Sequence, residues 1–167
     1  MLRIIRTTAA VRAATRTLNP MLAASRARLG EIPPRVWGEP YMLGLVMTLI
    51  TLMAQHRCGG RLSSDDLGLV QLQAWSKVTG MPDDLAGEQL CRLSAGHDEL
   101  FEWGCVRAGH LFAQLRRESD APSAAPGDEP EIDERWWASG LSAETPPRAS
   151  IGLWQLYFDE RVQALTS

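Results

Sequence analysis

Between Glu39 and Arg57 the chain carries no charged residue, and Tyr41 to Ala54 inside that interval is its most apolar stretch. A membrane span needs about 20 apolar residues, whereas a run of roughly 10–14 reads as a helix buried in protein. The pattern within the stretch points the same way. Gly44, Thr48, Thr51 and Gln55 recur at helical spacing and form one small or weakly polar stripe, while Leu45, Val46, Leu49, Ile50, Leu52 and Met53 cover most of the remainder. That describes the central helix of a bundle, its small stripe admitting close approach of a neighbour. The same stripe suits packing in lipid, so a short membrane anchor at 41–54 stands as the alternative.

Helix signals continue on the C-terminal side. Gly59 and Gly60 stop the central helix. Ser63 caps the next, with Asp66 three residues on as a capping-box variant, and Leu67, Val70, Ala74, Trp75 and Val78 fall on its inner face. Thr79-Gly80-Met81-Pro82 ends that helix, and Pro82 with Asp83 and Asp84 opens a shorter one lined by Ala86, Leu90 and Leu93. His97 and Asp98 begin a longer helix whose Phe101, Cys105, Ala108, Phe112 and Leu115 follow the helical period. Trp75 and Trp103 lie on these helices and are expected in the core. No segment shows convincing strand alternation. The expected fold is therefore all-α, a compact bundle of about four helices, with residues 31–118 as its core domain.

Charge is distributed unevenly about that core. Residues 1–30 hold Arg3, Arg6, Arg12, Arg16, Arg26 and Arg28 and no Asp, Glu or Lys, so a net charge of −3 for the whole chain leaves the remainder strongly acidic. Such asymmetry marks either a targeting segment or a basic arm that meets something the body does not. Ile4, Val11 and Leu18 repeat at seven residues and make the segment helical, and Asn19-Pro20 is expected to break it. Transit peptides share the Arg-rich, hydroxyl-rich, acid-poor character. A mitochondrial protein with a cleaved presequence is thus one reading, and a retained helix of a cytoplasmic bacterial or phage-encoded protein the other. The 16 arginines against Lys77 alone reflect a GC-rich coding bias more than chemistry. An acidic body argues against sequence-specific reading of duplex DNA, which requires a basic face; the arm retains the capacity for non-specific contact with an anionic surface.

Residues 119–134 form an acidic linker, with six carboxylates and four Pro or Gly and too little apolar matter to order by themselves. Residues 135–167 follow as a Trp-rich docking segment. It contains Trp136-Trp137, a Pro146-Pro147 break and a final amphipathic helix, capped near Ser150, with Ile151, Trp154, Phe158, Val162 and Leu165 on one face. That face either packs back on the body or docks on a partner.

Catalytic signatures are mostly absent: no P-loop, dinucleotide fingerprint, HExxH or GxSxG occurs. Cys58, in His56-Arg57-Cys58-Gly59-Gly60, is the sharpest nucleophile candidate, and a small cysteine enzyme built on it is a further alternative. Neighbouring cations lower a thiol pKa, yet a helix C-terminus is the wrong end of the dipole for a thiolate. His56, Cys58, Cys91, His97, Cys105 and His110 are of types that bind zinc but lack its paired spacings. The Asp65-Asp66 and Asp83-Asp84 doublets fall at helix starts, where capping explains them. The sequence therefore carries no catalytic, cofactor-binding or metal residues that can be named. The expectation is a non-enzymatic interaction or assembly component, an accessory subunit of a larger complex. Its partner-binding candidates are Arg3, Arg6, Arg12 and Arg16 in the arm and Trp136, Trp137, Ile151, Trp154 and Phe158 in the tail. Opposite charge at the two ends would also favour contacts between copies.

Overall fold

The computed structural model describes residues 2–120 and 148–167, and every element in them is helical. The acidic 121–134 stretch, Trp136, Trp137 and the Pro146-Pro147 break lie outside the described residues. Helix α1 spans Leu2–Leu29, α2 is the single turn Pro34–Trp37, and α3 spans Pro40–Arg57. Helices α4 (Ser64–Thr79), α5 (Asp83–Gly96) and α6 (Glu99–Asp120) follow. The C-terminal helix begins as α7 (Arg148–Trp154), widens into a π turn over Gln155–Asp159 and continues as α8 (Glu160–Thr166). The chain is all-α and compact.

Local chemistry sets most boundaries. The Glu39 carboxylate accepts the Met42 N–H at 3.0 Å, with Pro40 as first helical residue, so α3 starts where its missing proline donor costs nothing. The Ser63 hydroxyl accepts the Asp66 N–H at 3.2 Å. Gly80 closes α4 at φ +74°, and the Asp98 carboxylate accepts the Phe101 N–H at 2.9 Å to open α6.

α3 is the axis of the molecule. Tyr41 to Met47, Leu49, Ile50, Met53 and Ala54 are all buried, covered by α6, α4 and α1. Its 41–54 stretch is thus the central helix, and no helix among the described residues is long and apolar enough to cross a membrane. The small stripe does what its spacing implies. A Cβ added at Gly44 would overlap the Phe101 carbonyl oxygen, and one at Gly104 would overlap the Tyr41 carbonyl oxygen and lie 2.7 Å from the Leu45 nitrogen. α3 and α6 therefore cross backbone to backbone. Farther along, the Gln71 amide donates to the Thr51 hydroxyl at 2.7 Å and ties α4 to the same helix.

Two boundaries differ from expectation. α1 does not break at Asn19-Pro20 but runs on to Leu29 with Pro20 inside it. Pro20 removes one helical hydrogen bond and costs about 3 kcal/mol. Ala10, Val11, Ala14, Leu18, Leu22 and Ser25, on both sides of it, share one buried stripe against α3 and α4, and Pro20 itself faces solvent. Burial of that stripe along its whole length outweighs the local defect. The last helix begins at Arg148, two residues before Ser150. Ser150 is a buried position within it, whose N–H donates to the Glu118 carboxylate at 3.0 Å.

The C-terminal helix closes the core in cis. Trp154 stacks on Phe158 with centroids 4.3 Å apart, Phe158 meets Trp37 at 5.8 Å, and Trp37 meets Trp75 edge-on at 6.0 Å. This aromatic chain joins α7, the π turn, α2 and α4. Tyr157, Phe158 and Asp159 are buried consecutively within the π turn.

Candidate interaction surface

Three of the exposed large apolar side chains among the described residues, Leu100, Trp103 and Val106, lie on α6, beside its seam with the C-terminal helix. Phe101, Gly104, Ala108 and Leu111 face inward. Because Gly104 must sit against α3, its neighbour Trp103 is turned about 100° away from that contact. Trp103 is 60% exposed, with Leu100 at 47% and Val106 at 58%. This corrects the sequence-based placement of Trp103 in the core; Trp75 is buried as expected. An exposed indole beside two exposed aliphatic side chains is a feature of binding surfaces rather than of ordinary solvated helices.

Arginines brace the aromatic residues around this face. The Arg107 guanidinium lies 5.0 Å from the Trp103 ring centre and 4.4 Å from that of Tyr157, so one cation serves both rings. Arg161 pairs with Glu39 and lies 5.4 Å from the Tyr41 ring centre. Tyr41, Glu99, Leu100, Trp103 and Arg161 line a predominantly apolar groove of about 430 Å³. Burial pushes the Tyr41 phenol up to about 12, against the opposing pull of Arg107 and Arg161. The groove offers shape, apolar area and the Glu99 carboxylate, and no paired nucleophile and base lines it.

A buried polar network holds the C-terminal side in place. The Trp154 indole donates to the Ser25 hydroxyl at 2.8 Å, the Ser25 hydroxyl donates to Asp159 Oδ1 at 2.5 Å, and Arg28 Nε donates to Asp159 Oδ2 at 2.9 Å. Asp159 is only 5% exposed, so the partly exposed Arg28 supplies the countercharge its burial requires. Sequence reasoning missed this network. An Asp on the inner side of an otherwise apolar helix was its one available signal, and nothing local pointed from it to Arg28.

The other candidates fall elsewhere. Arg6, Arg12 and Arg16 are exposed on α1, Arg6 about 120° round the helix from Arg12, and Arg3 lies in its first turn. Arg26 and Arg28, from the same basic block, serve the fold: Arg26 donates to the Val78 carbonyl at 3.3 Å. Trp154 and Phe158 are fully enclosed and Ile151 is half-buried, so the aromatic face of the tail is occupied within the chain. Cys58 is half-buried at the end of α3, its thiol 3.8 Å from the Arg6 carbonyl, and His56 packs edge-on against Phe112. Burial raises the Cys105 thiol pKa, partly offset by a hydrogen bond with Thr48. Among the described residues no three His, Cys, Asp or Glu side chains converge as a metal would require.

Fold and surface together define an all-α protein with a tightly wired interior and an apolar, charge-flanked outer helix face. Comparison with protein-family models, with curated proteins and with solved structures gives no match.

Proposed function

We propose that this chain is a non-enzymatic interaction component, an accessory or assembly subunit, and that it binds protein through the outer face of α6. The observation that carries this reading is the exposure of Trp103 between Leu100 and Val106, on a helix whose opposite side is locked backbone to backbone against α3. A rigid helix presents its side chains at little entropic cost, and Trp is enriched among residues that dominate binding energy. Arg107, braced between the Trp103 and Tyr157 rings beside it, adds fixed charge for orientation.

Burial of Ala10, Val11, Ala14, Leu18 and Leu22 of α1 supports retention of residues 1–30 over cleavage as a presequence, and with it the cytoplasmic reading over the mitochondrial one. The exposed Arg6, Arg12 and Arg16 remain free to meet an anionic surface.

Affinity capture from the native cells with wild-type and Trp103→Glu chains tests the proposal. Trp103 is mostly solvated, so the variant keeps its helicity and melting temperature while losing specifically bound protein. Identical recoveries from the two chains would refute the role of this face.

A further inference from the structure

We propose that the occupant of the outer α6 face is a second copy of this chain, packed antiparallel against the same helix about a two-fold axis near residue 108. The inference rests on the reading of this face as an interaction surface and names its partner. Residues 99, 103, 106, 110, 113 and 117 follow one another along the outer side of the helix at steps of three and four, and Glu99, Trp103, Val106, His110, Ala113 and Arg117 at those positions are all exposed. Helix pairs meet along seams of this spacing.

The sequence of the seam is complementary to its own reverse. Antiparallel pairing about residue 108 sets Glu99 opposite Arg117 of the second copy, Trp103 opposite Ala113, and Val106 opposite His110. The largest side chain meets the smallest, and acid meets base at both ends. Near the axis, a Cβ added at Gly109 would meet nothing within 4 Å, which leaves room for a neighbouring helix to approach. Parallel packing in register would instead set Glu99 against Glu99 and Arg117 against Arg117. Neither Glu99 nor Arg117 has an ion-pair partner among the described residues, so both charges are available to the second copy. A two-fold contact repeats each pair, so every favourable match counts twice.

The test is sedimentation equilibrium of the full chain over a wide concentration range, with helicity and melting temperature recorded for each variant. The wild type is expected to dimerise reversibly, and Val106→Glu to abolish dimerisation. Glu99→Arg and Arg117→Glu are each expected to weaken it by roughly five- to thirty-fold, because each turns two attractive pairs repulsive. The double variant is expected to recover most of the wild-type affinity. Both swaps oppose the dipole of α6, so any effect on the helix alone would accumulate in the double variant instead of cancelling. A dimer indifferent to Val106→Glu, or single swaps not rescued by the double, would overturn the antiparallel α6 contact. A chain monomeric at every concentration would overturn the second copy as partner. In that event Trp103-dependent capture of a different protein would leave the interaction reading standing, and its absence would remove both.

Discussion

Gly44 and Gly104 are the positions where a single atom matters most, because each would place a Cβ on a carbonyl oxygen of the facing helix. Gly104→Ala is expected to destabilise the protein by about 3 kcal/mol through forced separation of α3 and α6, measured by urea denaturation. An unchanged midpoint would show that the helices do not cross this closely. Asp159 is the polar counterpart. Asp159→Ala removes the short acceptor of the buried Ser25 hydroxyl, leaving it the Met21 carbonyl at 3.2 Å, and deprives Arg28 of its countercharge, while the Trp154 indole keeps Ser25 as its acceptor. It is expected to cost about 2–3 kcal/mol, short of a fully buried pair because Arg28 reaches solvent. Tyr41 makes a prediction in pH. Its folded pKa lies near 12 against 10.0 for the ordinary phenol, so folding favours the protonated form. Its contribution to stability is complete below pH 10.0 and is lost as pH rises toward about 12. Thermal melts across that interval should decline less steeply in Tyr41→Phe than in the wild type. The stripe carrying Gly44 was legible from sequence. Asp159 was not, because its partner Ser25 lies 134 positions away.

Among the elements, α1 shows most directly how packing overrules a local signal. Pro20 reads as a break because proline lacks a donor and crowds the preceding turn. The helix persists because Ala10, Val11, Ala14 and Leu18 before it, and Leu22 after it, are buried on one surface. Pro20→Ala should restore the missing backbone hydrogen bond without loss of core volume and stabilise the protein by about 1–3 kcal/mol, raising its melting temperature by several degrees. A lower melting temperature would mean that proline is needed to bend α1 onto α3 and α4. The termini of α3, α4 and α6 present the opposite case. Glu39, Ser63 and Asp98 cap the helices they precede through interactions spanning three residues, and of these the Ser63 cap and the helix start at Asp98 were legible in the local sequence.

The molecule as a whole is held together by contacts that return from its far end to its beginning. Phe158 seals Trp37, Asp159 pairs with Arg28, Glu118 receives Ser150, and Arg161 pairs with Glu39. Deletion of residues 148–167 should therefore lower the thermal midpoint of the entire bundle and increase binding of a hydrophobic dye. A truncated chain that melts like the wild type would show the C-terminal helix to be an accessory. The helical class, the Ser63 cap and the inner faces of α3 and α4 were already determined in the amino-acid order, because each arises from residues within a few positions of one another. The outward turn of Trp103, the survival of α1 through Pro20 and the docking of the C-terminal helix in cis were not. Each is settled by burial against a partner distant in sequence, and periodicity specifies that a helix has an apolar face without specifying which surface will cover it.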